Sequence, residues 1–288
     1  MALLRIVHET TYTYRGPVGL GPHRLRLRPI ETKDLRLTAF DLQISPHAEL
    51  DWSTDVWGNA VATARFKGQH DMLWIRSEAD VEQRGPAWPV FPIAGDATTF
   101  PFLYHPDDRI DLGALSLPHH ADDMGRLTAW TSGFVMAPST DTLSLLKDIS
   151  SGVADAIRYE TREAEGTQSP LETLGRGVGS CRDLAVLFAE AVRTLGFGAR
   201  LVSGYLHDDD ADGVGVIGAG ATHAWAEVFL PGAGWIPFDP TNRSVGSARL
   251  VPVAVARSIG QVSPVTGSFA GAPSALVDLE VDVQVKAD

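Results

Sequence analysis

Three residue types that can cleave an amide together occur in order along this chain: Cys181, His223 and Asp239. Cys181 is the only cysteine, and it sits in Gly179-Ser180-Cys181-Arg182-Asp183-Leu184. Ser180 followed three residues later by Asp183, just before an apolar run, has the spacing of a capping box. It predicts a helix whose first turn carries the thiol. The unpaired N–H groups and the dipole at a helix start favour an anion, and hence the thiolate. The helix supplies no general base, so a base must come from elsewhere. Residues 222–230 alternate as a strand, with His223, Trp225 and Glu227 on one face and Ala224, Ala226 and Val228 on the other. A turn through Pro231-Gly232-Ala233-Gly234 leads to a second strand at 235–239, ended by Pro240. That hairpin returns Asp239 beside His223. A carboxylate orienting an imidazole, which in turn deprotonates a thiol, is triad logic.

Each residue taken singly has a plainer reading. A lone cysteine is usually a small buried hydrophobe, a lone histidine a bonded core residue, and Asp-Pro a turn. Their order and their neighbours favour chemistry. The blocks Gly179-Ser180-Cys181-Arg182-Asp183, then residues 196–205, then Thr222-His223-Ala224-Trp225-Ala226-Glu227, then Asp239-Pro240-Thr241-Asn242 resemble the transglutaminase-like cysteine enzyme superfamily over roughly residues 140–245. The start of the chain resembles the amino-terminal domain that precedes this core in bacterial relatives. The segments that carry it are His8-Glu9-Thr10-Thr11-Tyr12, residues 22–29 and Asp55-Val56-Trp57-Gly58-Asn59.

The resemblance implies catalytic roles for Cys181, His223 and Asp239 and a rearranged papain-like fold. It covers cross-linking enzymes, peptidases and amidases. Cross-linking transglutaminases also use an upstream tryptophan at the oxyanion. Here none lies between Trp130 and Trp225, and Tyr159 is the nearest aromatic upstream of the cysteine. Oxyanion or substrate contacts therefore fall to the Cys181 N–H, Tyr159 and Trp225. The expected activity is hydrolysis of a peptide or isopeptide-type amide through a thioester. Amine transfer is the alternative, and a binding scaffold without catalysis the third reading.

The fold class expected is α+β. An N-terminal β-sandwich-like domain with a connecting arm should occupy 1–125, and a papain-like core of helices on an antiparallel sheet 126–288. Residues 24–28 alternate leucine with arginine and predict a strand with its basic face outward. Residues 36–44 and 72–82 also read as strands, and Gly58-Asn59 marks a hairpin. Proline density at 85–92 rules out regular structure there. The aromatic-rich stretch 85–125 reads as an arm rather than a disordered linker. Apolar residues from Leu143 to Ile157 recur at helical spacing behind Ser139 or Thr140 as caps, and 170–175 suggests a short helix. In the Cys181 helix Leu184, Phe188, Ala191, Val192 and Leu195 share one face, and Gly196 ends it. Residues 199–206 read as a strand. The strict alternation of 275–285 makes another, with acids outward and its sheet left open.

Two segments imitate other sites. Asp208 to Gly213 begins like a calcium loop, but the position of the bidentate glutamate is Ala219 and no helix frames it. Residues 213–218 match a dinucleotide fingerprint by letters, yet a strand follows where a helix should. Both read as a mobile glycine-rich loop beside the catalytic hairpin that needs no calcium. His119-His120 with Asp122 and Asp123 reads as a solvated loop rather than a metal site. No cofactor or metal is expected.

Hydrophobic residues make up 44% and charged residues 21%, a globular composition. The net charge of −12 excludes nucleic acid and anionic membrane as partners and leaves a peptide or protein substrate. One cysteine fits a reducing compartment. With no signal-peptide pattern at the start, the expectation is cytoplasmic.

Overall fold

The computed structural model describes residues 2–162, 166–207, 217 and 220–287. The expected calcium-like and glycine-rich loop falls outside these residues apart from Ile217 and Gly220. Among the described residues no helix is long and apolar enough to cross a membrane.

The N-terminal half is built from β1 (Ala2–Leu20), β2 (His23–Leu25), β3 (Leu35–Ser45), β4 (Ala48–Thr54), β5 (Ala60–Phe66) and β6 (His70–Gln83). β1, β6 and β3 lie side by side in one antiparallel sheet, and β2, β5 and β4 in another. The turn between β4 and β5 is held by Asp55, whose Oδ1 accepts from the N–H groups of Trp57 (2.9 Å) and Asn59 (3.0 Å). Gly58 takes φ = +83° there, a conformation that a side chain would strain. The alternation at 24–28 is only partly realised. Arg24 is exposed, but Arg26 is buried and donates to Ser263 O at 3.4 Å.

The arm from 85 onward is ordered by aromatic packing. Phe91, Phe100 and Phe102 rest on the hydrophobic core of the second half, and the Tyr104 hydroxyl donates to Phe229 O (2.8 Å) and accepts from Gly198 N (3.1 Å). The arm holds β7 (Thr99–Phe100) and a short helix α1 (Pro106–Leu112), which proline at N1 starts. Next come α2 (Arg126–Ser132), β8 (Thr140–Asp141) and α3 (Thr142–Ala156). The cap of α3 is Asp141, which accepts from Ser144 N at 2.8 Å, rather than Ser139 or Thr140. His119 and His120 donate their backbone N–H groups to Glu190, and Asp122 caps α2 through Leu127 N and Thr128 N.

The second half continues with β9 (Arg158–Tyr159), α4 (Pro170–Arg176), β10 (Val178–Gly179) and α5 (Cys181–Thr194), then β11 (Ala199–Leu206), β12 (His223–Leu230), β13 (Gly234–Asp239), β14 (Ser244–Val245) and β15 (Leu250–Ala256). The last five strands form one antiparallel sheet in the order β14-β13-β12-β11-β15. α5 is buried on every side rather than on one apolar face, and its charges are therefore matched internally. Glu190 and Arg193 pair at 2.6 Å, and Arg193 also donates to the carbonyls of Leu115, Ala199 and Arg257. Gly196, at φ = +88°, closes the helix.

This five-stranded sheet has both faces covered. α5 packs with Ala224, Ala226 and Val228 on one. The N-terminal half covers the other. Leu4 and Ile6 cluster with Tyr205, Val251 and Val253, and Trp57 packs on the cluster of Trp225, Leu250 and Val255. Asn59 is fully buried at this seam and exchanges two 2.8 Å bonds with the backbone of Val255. The remaining strands, β16 (Val265–Thr266), β17 (Phe269–Ala270) and β18 (Leu276–Ala287), return to the N-terminal half. β18 pairs along β1 from Tyr14↔Leu276 to Leu4↔Ala287. The open question of the tail is thus resolved: it joins the N-terminal sheet. Its apolar residues are less covered than the alternation implied, with only Val283 buried.

Candidate active site

Ser180 and Asp183 realise the predicted helix start. Asp183 Oδ2 accepts from Ser180 N and from Ser180 Oγ, both at 2.8 Å. Its Oδ1 accepts from Arg162 Nη2 at 2.8 Å and Gln168 N at 2.7 Å. This fully buried carboxylate ties the turn before the helix to the segment that follows β9. Cys181 is held at the first position of α5 and is 8% exposed.

His223 opens β12 and is 1% exposed. Asp239 closes β13, the neighbouring strand, and its Oδ2 accepts from His223 Nε2 at 2.8 Å. The carboxylate is fixed by three further donors. Thr241 N (3.0 Å) and Asn242 N (3.4 Å) reach Oδ1, and Asn242 Nδ2 (2.8 Å) reaches Oδ2. Asn242 also brackets Ile217, accepting from its N–H at 2.9 Å and donating to its carbonyl at 3.2 Å. Burial opposes ionisation of Asp239. The facing imidazole and the Asn242 donors outweigh it and hold the carboxyl below its usual range.

The imidazole responds in the opposite sense. Burial disfavours the imidazolium, but Asp239 and then Cys181 favour it, and the His223 pKa is raised to about 10. With Nε2 on Asp239, Nδ1 is the nitrogen left over. It is buried and makes no fully formed hydrogen bond among the described residues. Cys181 adds to the upward shift of the ring after Asp239.

The two aromatic candidates part company. Tyr159 is half-buried on β9. Burial pushes its phenol upward, with a further rise from the charges of Cys181 and Asp239, so it belongs to this cluster. Trp225 lies 6.2 Å from the His223 ring, centroid to centroid and nearly parallel at 24°. It is 1% exposed, packs with Val202, Leu250 and Val255, and forms a wall for the imidazole rather than an open subsite. Glu227 pairs with Arg200 at 2.6 Å, and Arg200 stacks over Trp235. Asn242 was not singled out as a functional residue from the sequence. Its place three residues after the aspartate, in a Pro-containing turn, was the available signal.

Comparison with known proteins places the chain among transglutaminase-like relatives. The model of the bacterial transglutaminase-like N-terminal region matches residues 4–82, and that of the transglutaminase-like superfamily matches residues 129–240. An uncharacterised protein of Mycobacterium tuberculosis (strain H37Rv) is 28% identical over 295 residues, covering 97% of this chain and 91% of its own length. One from Mycobacterium leprae is 25% identical, covering 97% and 98%. A crystal structure of a candidate cysteine protease from Cytophaga hutchinsonii superposes with a TM-score of 0.74 at 18% identity, covering all of this chain and 91% of that one. At that identity the likeness establishes a shared fold.

Proposed function

The chain belongs to the transglutaminase-like superfamily of cysteine enzymes, and on that premise we propose that it hydrolyses peptide or isopeptide-type amide bonds through a Cys181–His223–Asp239 triad. The observation that carries the proposal is the 2.8 Å bond from His223 Nε2 to a carboxylate held by three other donors, with Cys181 acting on the same ring.

The thiolate of Cys181 attacks the amide carbonyl, and the Sγ–C bond forms. The N–H of Cys181, in the first turn of α5, needs no partner within the helix and serves the developing oxyanion. The His223 imidazolium gives its proton to the departing amine as the C–N bond breaks. Water then adds to the thioester as His223 takes its proton, and the carboxylic acid leaves as the C–Sγ bond breaks, restoring the thiolate and the imidazolium. Asp239 keeps the ring in one orientation throughout. The substrate class is a peptide or protein.

The resemblance gives no upstream tryptophan at the oxyanion. We therefore expect water rather than an amine to resolve the thioester. Mass spectrometry of the products from peptide amides incubated with millimolar primary amine tests this. The expected product is the free acid, formed only when Cys181 is present. Predominant amine adduct would replace hydrolysis by transfer, and no product from any amide would leave a binding scaffold.

A further inference from the structure

β18 pairs with β1 on one side, and among the described residues no strand pairs with its other side. Long edge strands invite pairing with another chain, and proteins usually blunt them with proline, lysine or a short length. β18 runs for 12 residues without proline, and its one lysine, Lys286, lies at the far end. Two bonds give the direction of its backbone groups. Val283 N–H points away from β1 and donates to Gly220 O at 3.2 Å, and Leu279 N–H is taken up by Asp278 Oδ1 of its own strand at 3.0 Å. The register with β1 is unbroken from Asp278 to Ala287, so the N–H and C=O of Leu279 and Val281 also face outward. Gly220 shows main chain already seated on this edge at Val283.

The side chains beside the edge are of two kinds. Val277, Leu279 and Val281 share one face and are 57%, 45% and 41% exposed. Asp278, Glu280 and Asp282 share the other. Glu9, opposite Asp282, is paired with Arg76, and among the described residues neither Asp278 nor Glu280 has a lysine or arginine at ion-pair distance. On β4, another edge, Glu49 and Asp51 are by contrast paired with Lys67 and Arg65. Charge and register decide the occupant. Two copies of β18 related by a two-fold axis through Leu279, Glu280 or Val281 would set Asp278 against Glu280, Asp278 against Asp282, or Glu280 against Asp282. Like charges directly opposite are unfavourable, so a second copy is a poor partner. We infer that the open edge of β18 binds an extended segment of another protein as an added strand, its apolar residues beside Leu279 and Val281 and its lysines or arginines beside the three acids. The net charge of −12 favours the approach of such a segment. The inference goes beyond the proposed amide chemistry and does not depend on it, because the edge lies outside the Cys181–His223–Asp239 cluster.

The test uses the full chain with its thiol capped by iodoacetamide, so that no probe is consumed. Fluorescein-labelled Lys-Val-Lys-Val-Lys-Val is the probe, and anisotropy reads its binding. It should bind at least about tenfold more tightly than Lys-Lys-Lys-Val-Val-Val, which has the same composition without alternation, and than Glu-Val-Glu-Val-Glu-Val. Of two probes N-methylated at every valine or at every lysine, one should lose about tenfold and the other keep its affinity, because only alternate N–H groups of an added strand face β18. Val281→Pro removes an outward donor without touching the bonds to β1, and should abolish binding. Glu280→Lys, at an exposed position, should weaken the lysine probe and improve the glutamate probe. The inference is overturned if the two lysine probes bind equally, which is attraction by charge alone, if both methylated probes behave alike, or if neither variant changes binding. A concentration-dependent dimer in sedimentation that Val281→Pro dissolves would also overturn it, since a second copy would then hold the edge.

Discussion

At the scale of the residue, the site depends on how Asp239 treats His223. A buried imidazole alone would be neutral at pH 7. Here the facing carboxylate reverses that preference and lifts the pKa to about 10. The sign has a kinetic consequence. In the proposed mechanism the protonated ring is the acid that delivers a proton to the leaving amine, so turnover of an amide should persist to about pH 10 and fall beyond it. Asp239→Asn removes the charge that holds the proton, so the alkaline limb should move to lower pH. Turnover at neutral pH should also drop at least about a hundredfold, because the ring loses its orienting partner. A pH–rate profile of the folded variant checks both. An unmoved limb with near-normal turnover would reduce Asp239 to a turn residue. The His223–Asp239 pairing was legible because both partners lie on one hairpin, where strand alternation fixes the face. The anchoring of Asp239 by Asn242, and of Arg162 and Gln168 by Asp183, was not. Those bonds join loops whose paths no local period encodes.

Among the elements, β1 and β11 meet through a buried polar contact of the opposite kind. His8 Nε2 and Nδ1 lie 2.8 Å from Thr10 Oγ1 and 3.0 Å from the Tyr205 hydroxyl. Burial lowers the His8 pKa to about 4, with Asp282 only partly opposing it. The unfolded chain therefore binds the proton more readily than the folded one. Stability should fall as pH drops from about 6.5 toward 4, by an amount on the order of 3 kcal/mol, and should level off below that for this group. Urea unfolding at pH 7.5 and 4.5 reads the effect. His8→Gln should be markedly less pH-sensitive across that window, and an equal sensitivity in both proteins would refute the assignment. Elements differ in how plainly the sequence announces them. α5 is announced by its cap. β15 is a continuous apolar run through Pro252, which gives no alternation to read because both faces of the sheet are covered. For β18 the alternation identifies a strand but not its partner, since pairing with β1 depends on where the chain returns.

For the whole molecule, the N-terminal half serves as the second cover of the sheet that carries His223 and Asp239. The Asp55–Asn59 turn reaches across it, with Trp57 against Leu250 and Val255 and Asn59 bonded twice to the Val255 backbone. The change from strand-like to helical patterning along the chain was readable. This seam was not, because an Asn in a hairpin turn looks the same whether it faces solvent or another sheet. Asn59→Leu should leave the Val255 N–H and C=O buried without partners and cost about 2–4 kcal/mol of stability. Calorimetric or urea unfolding measures this, and a loss below about 0.5 kcal/mol would show that the seam is not structural.

The account as a whole turns on whether Cys181 is an activated nucleophile. Being the only cysteine, it permits a clean readout. Iodoacetamide labelling at pH 6, followed by intact mass, should add one group per chain, faster in the native protein than in the urea-unfolded chain. His223→Ala should abolish most of that acceleration, because the imidazolium stabilises the thiolate. Native labelling no faster than that of the unfolded chain would contradict the assignment of Cys181 as the nucleophile.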